Sequence, residues 1–222
     1  MATITLAQRV KKLEHELERT KAFSEIINLL SKMQYYHMVN DNKGISTLFA
    51  KRADTRLYFG DMGYWIGADA PDKGAKTFEG MSNVGMMALH LMTNPCIEVA
   101  GDGKTAKGIW IASGIVANRN RQTGKPSAGW EWNRYGIDFI KEDGKWKLWH
   151  HHVFPLFQIG WNENWAEHFE KKKEGPGGMP GSPFKPDYPP TPADVSYSPD
   201  SELPLIPAPA EPYETFDPKQ IY

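Results

Sequence analysis

The chain has one cysteine in 222 residues, Cys96. That excludes an intrachain disulfide and every zinc site built from several thiolates. It also lacks an excess of charge: 26 lysines and arginines face 27 aspartates and glutamates, a net charge of −1. Neither nucleic acid nor an anionic membrane surface is therefore expected as a partner. No apolar run approaches the roughly 20 residues of a membrane span. The opening stretch MATITLAQRVKKLEHELE turns charged at once, which does not suit a secretory signal. A cytoplasmic protein is expected.

What the chain does have is aromatic mass, 12% of residues with eight tryptophans, and proline gathered at one end. Of 17 prolines, 13 lie in 176–218. The composition shift predicts a domain over 1–174 and a proline-rich extension over 175–222. The extension carries Phe184, Tyr188, Tyr197, Tyr213, Phe216, Tyr222 and the run LPLIP. Such side chains suit an extended tail packed on the domain or on a neighbouring subunit.

Within the domain, residues 5–41 read as helix, opened by a Thr5–Gln8 capping box. Leu6, Val10, Leu13 and Leu17 make one apolar stripe; Phe23, Ile26, Ile27, Leu30 and Met33 make another. A helix this long should bend near Arg19–Thr20 or pack its first part on a neighbour. Leu48–Ala50 reads as a short second helix. RLYFG, YWIG and KTFEG read as strands and turns. MSNVGMMALHLMT, 81–93, reads as helix ended by Asn94–Pro95. Strands are expected at 96–100, 105–118, 130–142 and 145–154. Gly101–Asp102–Gly103 and Glu142–Asp143–Gly144 should form hairpin turns, and RNRQTGKPSAG a flexible loop. Strand 105–118 is apolar on both faces, so its outer face should also be covered.

Three consecutive histidines stand in KWKLWHHHVF, 145–154. Alternation along a strand puts His150 and His152 on one face and His151 on the other. The pair is expected to line a pocket, with His151 turned away. His150-x-His152 is also a spacing used by metal sites, which His90 and Glu131 could complete, but no metal is expected. Asp138, mid-strand among apolar residues, is either functional or paired with Arg134 or Arg56.

Three blocks, QYYHMVNDNKGISTLFA, ALHLMTNPCIEVAGDGKTAKGIWIASG and YGIDFIKEDGKWKLWHHHVF, resemble the nuclear transport factor 2-like superfamily and its SnoaL-like and scytalone-dehydratase-like branch. The resemblance covers about residues 6–168. It implies an α+β fold, a curved antiparallel sheet wrapped around helices as a cone, and cofactor-free chemistry on a hydrophobic small molecule. Carried across, Tyr36 and Asp41 occupy a tyrosine–aspartate region, where Tyr35 and Asn40 fit nearly as well. His90 matches the branch's histidine. Bile-acid-dehydratase-like members pair that histidine with an aspartate on the next strand; here Gly114 stands in the corresponding place. His150, His152, Asp138 or Glu131 are the alternatives for that role. Trp65, Trp110, Glu131, Trp132 and Tyr35 are expected around the substrate. Relatives of this type form trimers, and a homotrimer is expected.

These residues imply a lyase acting by general acid–base catalysis on a hydroxylated, aromatic molecule, through loss of water or a retro-aldol-like loss of formaldehyde. An isomerase or cyclase, and a non-catalytic binding or protein-interaction module of the same fold, are the alternatives.

Overall fold

A computed structural model describes residues 4–78, 83–120, 123–167, 184–190 and 196–222. Helices α1 (Leu6–Met38) and α2 (Asn42–Thr47) lead into strands β1 (Arg56–Phe59) and β2 (Gly63–Ile66) and helix α3 (Ala70–Lys76). Four long strands follow: β3 (Met87–Val99), β4 (Thr105–Arg119), β5 (Pro126–Glu142) and β6 (Lys145–Gly160). They form one six-stranded sheet in the order β2-β1-β6-β5-β4-β3. Every pair is antiparallel except β1 with β6, so the sheet is mixed. Its concave side wraps α1, as an α+β cone. Among the described residues no helix is long and apolar enough to cross a membrane.

The Thr5–Gln8 capping box forms at the start of α1. The helix runs unbroken, and only its second half is buried, through Ala22, Ile26, Leu29, Leu30 and Met33. These pack with Trp110 of β4, Ile137 and Phe139 of β5, and Trp146 and Leu148 of β6. Each such side chain contributes about 1.5–3 kcal/mol on burial. Gly108 makes room for this: a Cβ there would stand 2.4 Å from the Trp110 ring.

Several local expectations are corrected. The short second helix lies at Asn42–Thr47, capped by Asp41. Leu48–Ala50 instead pairs with the sheet, Ala50 N donating to Leu148 O at 2.8 Å and Leu148 N to Leu48 O at 3.0 Å. Lys76 closes α3, which the sequence reading did not foresee, and Thr77–Phe78 form a turn rather than a strand, while residues 79–80 of KTFEG lie outside the described residues. Met87–Thr93 is strand, not helix; pairing with β4 overrides the helix propensity of Met, Ala and Leu. Residues 81–82 of that expected helix lie outside the described residues. Asn94–Pro95 does not terminate the element but sits in a bulge between Thr93 and Cys96, with Asn94 at φ 51°. The β4–β5 connection is a hairpin whose second strand starts at Pro126.

The extension lies along the domain wherever it is described. Tyr188 and Tyr64 exchange both backbone hydrogen bonds at 3.1 Å and stack at 4.8 Å. Gly101 N donates to Tyr213 O at 2.8 Å, and Phe216 packs 4.6 Å from Trp149. The LPLIP run is less buried than expected, with Leu205 72% exposed. On the outer face of β3 and β4, Leu91 and Ile111 also remain exposed.

Candidate active site

Between α1 and the concave face of the sheet lies a cavity of about 460 Å³. Its walls are largely apolar, with Met33, Phe49, Leu57, Phe59, Met62, Phe78 and Val153 among them. Gln34 and His37 reach it from α1, His90 from β3, Glu131, Asn133 and Tyr135 from β5, and His151 from β6. This size and character suit a small organic molecule.

Strand parity selects the sheet residues. Ala88 and His90 on β3 point inward, as do Glu131, Asn133 and Tyr135 on β5. His90 pairs in register with Gly114, and Gly114 with Glu131, so one strand separates the two side chains. The His90 ring lies over that glycine: a Cβ on Gly114 would stand 2.3 Å from His90 Cδ2. The ring thereby reaches Glu131, with Nε2 3.5 Å from Oε2. The Asn133 amide donates to the other oxygen, Glu131 Oε1, at 2.7 Å. His37 stands beside the pair, its ring centroid 5.1 Å from that of His90.

Electrostatics differentiate these groups. Burial pushes His37 down to about 4, and nearby His90 adds to the effect, so His37 is neutral at pH 7. Burial pushes His151 down to about 3, with His37 contributing. Burial alone would raise Glu131, but His90, Asn133 and His37 outweigh it and leave this carboxyl below its ordinary range. Tyr135 is raised by burial and by the Glu131 charge, so its phenol stays protonated. The site thus holds one carboxylate, a histidine facing it, and a protonated phenol. His90 turns Nε2 toward the Glu131 carboxylate at ion-pair distance, and Nδ1 is the ring nitrogen that does not face it. Both ring nitrogens are buried, and neither makes a hydrogen bond among the described residues. Such a set can accept a proton from carbon and stabilise a developing oxyanion.

The three histidines of β6 are arranged opposite to expectation. The β5–β6 register slips between Asp138 and Phe139: Phe139 pairs with Leu148 and Asp138 with His150, leaving Trp149 as the extra residue. This bulge reverses the parity beyond it. Trp146 and Leu148 point into the core, but so do His151 and Val153, while His150 and His152 turn outward. His152 packs between Tyr58 and Phe154, at 3.9 and 3.7 Å between ring centroids. His150 lies under Phe216 of the extension. With these two on the outer face, His150-x-His152 does not converge with His90. Among the described residues no group of three or more His, Cys, Asp or Glu is placed to hold a metal ion.

Asp138 is also on the outer face, wholly buried. It pairs with Lys107 at 2.6 Å and His150 at 2.8 Å, not with Arg134 or Arg56. Tyr222 N donates to the same carboxylate at 3.2 Å. This is a structural ion cluster beneath the extension. Of the other candidates, Tyr35 is 72% exposed. Tyr36 does not line the cavity, and Asp41 caps α2, its carboxylate accepting from Gly44 N at 2.9 Å; Asn40 is in the lining. Trp65 and Trp110 are buried core residues, and Trp132 stacks on Phe157 on the outer face. His90 and Glu131 are therefore the predicted site residues that meet in the cavity. Gln34, His37, Asn133, Tyr135 and His151 were missed. Asn133 and Tyr135 share the parity of Glu131, and His37 lies one turn beyond Met33 on the buried face of α1.

A family model for the SnoaL-like domain matches residues 18–152. A candidate scytalone dehydratase from Novosphingobium aromaticivorans is similar in structure, with 16% identity, a TM-score of 0.55, and cover of 66% of this chain and 92% of its own. A type 2 hexachlorocyclohexane dehydrochlorinase shares 15% identity at a TM-score of 0.55, covering 70% of this chain and 97% of its own. The type 3 enzyme from Novosphingobium barchaimii shares 13% identity at 0.52, covering 70% and 99%. No match is found among curated proteins.

Proposed function

The chain belongs to the SnoaL-like domain family, and from that premise we propose that it is a lyase that eliminates water from a hydroxylated aromatic small molecule without a cofactor. One observation carries the reading: His90 and Glu131 stand 3.5 Å apart in a largely apolar cavity, with His90 Nδ1 unpartnered among the described residues. The names of the similar structures, a dehydratase and dehydrochlorinases, describe eliminations too. At such identities the likeness supports the fold.

In the proposed reaction His90 Nδ1 takes the proton next to a substrate carbonyl. Glu131 holds the ring and stabilises the imidazolium that forms. The Tyr135 phenol donates to the carbonyl oxygen as charge develops there. The C–H electron pair becomes the new double bond and the C–O bond breaks. The leaving hydroxide receives the proton from the imidazolium, so the net loss is one water. His37 and His151, neutral at pH 7, add no competing positive charge.

A β-hydroxytetralone is a suitable probe, because loss of water yields a fluorescent naphthol. The wild type should accelerate this reaction above buffer. His90→Ala should lower kcat by about 100-fold, the scale of one general acid–base group, and Glu131→Gln by less. A folded His90→Ala protein with wild-type turnover would remove His90 from the chemistry. No acceleration with the probe or its ring-substituted analogues would remove the elimination reading.

A further inference from the structure

The first half of α1 has an apolar stripe that no described residue covers. Leu6 is 77% exposed, Val10 44%, Leu13 63% and Leu17 52%. At 3.6 residues per turn these four lie in a band about 60° wide along the helix. The body-facing contacts lie on the other side. His15 bonds Gly101 O at 2.7 Å, Arg19 bonds Val99 O at 2.8 Å, and Ala22 and Ile26 are buried. The centres of the two faces differ by roughly 180° on the same helical wheel. The stripe therefore points away from the domain it belongs to.

Its spacing is that of a coiled-coil seam. Leu6 and Leu13 take d positions, Val10 and Leu17 take a positions, and polar Thr20 and Ser24 end the seam. The flanking g and e positions then hold Arg9 and Glu16, and Glu14 and Lys21, all exposed. In a parallel pair of identical helices each g residue faces the e residue five positions later on the partner. Arg9 would meet Glu14 and Glu16 would meet Lys21, twice each by symmetry, and all four contacts are attractive. An antiparallel pair matches g with g and e with e. It keeps only the two Arg9–Glu16 contacts. The competing intrahelical pairs, Lys12–Glu16 at 3.7 Å and Lys21–Glu18 at 3.3 Å, are solvent-exposed and cheaply exchanged.

We propose that the stripe is a docking surface for a second copy of this chain, through a parallel two-stranded coiled coil over residues 6–20. The occupant is self rather than another protein because the charge pattern complements itself. Valine at a and leucine at d suit two strands. The two domains would sit on opposite sides of the helix pair, where they do not collide.

The test uses the full chain in sedimentation velocity over a concentration series. The wild type should reach twice 25.1 kDa, a dimer in place of the homotrimer that the resemblance implies. Glu16→Lys, which sets Lys against Lys21, should weaken the dimer at least tenfold. Adding Lys21→Glu should restore it, and circular dichroism should be equal for all three. In a Cys96→Ser background, Leu13→Cys should give a covalent dimer with glutathione disulfide as oxidant. A chain monomeric throughout the series overturns the proposal. So does an oligomer that neither charge variant alters, since another face, such as that of Leu91 and Ile111, would then hold it. Cross-linking of Val10→Cys with Leu13→Cys but not of Leu13→Cys with itself marks an antiparallel pair and overturns the parallel one.

Discussion

His90 and Glu131 belong to strands that are not neighbours, and they meet because the strand between them carries Gly114 at their shared register position. The histidine ring fills the space that any side chain at 114 would take. Glu131 stands one strand beyond Gly114, and the absence of a side chain at 114 lets the histidine reach it.

Gly114→Ala should therefore disable the pair without touching either member. The added Cβ would meet His90 Cδ2 at 2.3 Å and the Leu89 carbonyl at 2.8 Å. The ring must move, since the backbone oxygen cannot. Turnover of the tetralone probe should fall by about 100-fold, close to that of His90→Ala. Equal activity in Gly114→Ala and wild type would mean that the approach to Glu131 is not used.

How far the site was legible follows from strand parity. Glu131 and Asp138 are seven residues apart on one strand, so an unbroken β5 must put them on opposite faces. Parity alone therefore allows only one of the two in the pocket. The same parity would have promoted Asn133 and Tyr135, which share the face of Glu131. The inversion of His150, His151 and His152 was not legible. It depends on one extra residue, Trp149, in β6, and nothing local in KWKLWHHHVF marks a bulge there. The capping box and the strands over 105–118, 130–142 and 145–154 follow from local pattern. The strand identity of Met87–Thr93 does not, because it depends on pairing with β4 far along the chain.

The outer-face cluster should behave as structure. Asp138 is wholly buried and holds two side-chain partners, Lys107 and His150. Asp138→Ala leaves a buried ammonium without its counter-charge and should cost about 3–5 kcal/mol in urea unfolding. The double variant Lys107→Met with Asp138→Leu should recover most of that loss. If Asp138→Ala were to cost less than about 1 kcal/mol, the cluster would not be contributing as the burial implies.

Stability should fall on acidification. His37, His151 and His152 have ordinary values of 6.5, lowered by burial to about 4, 3 and 3. Below pH 6.5 the unfolded chain takes up protons that the folded chain refuses. Each group then removes about 1.4 kcal/mol per pH unit until its folded value is reached. Glu131 acts in the same direction, because its lowered carboxyl stabilises the fold above the ordinary carboxylate range and loses that effect as pH falls through its folded value. Thermal melts from pH 7 to 4 should show a steep decline. His152→Phe keeps the packing between Tyr58 and Phe154 and should flatten the curve. A slope unchanged by that variant would clear His152 of any part in it.

The cavity should discriminate by charge. No lysine or arginine is among its described lining residues, its carboxyl Glu131 is ionised at pH 7, and His37 and His151 are neutral there. A neutral phenol can donate to Glu131 or accept from Tyr135. A carboxylate of the same shape finds no lysine or arginine and meets a like charge. Two unit charges about 5 Å apart repel by about 3 kcal/mol at an effective dielectric of 20. That corresponds to somewhat over a hundredfold in affinity, before the loss of the ligand's hydration is added. Naphthol should therefore bind at least about 100-fold more tightly than naphthoate in calorimetry at pH 7. Removing the cavity's charge with Glu131→Gln should close most of that gap by strengthening naphthoate rather than weakening naphthol. Equal affinities in the wild type would show that the carboxylate of Glu131 does not set the field of the cavity. A gap unmoved by Glu131→Gln would assign the selectivity to desolvation alone.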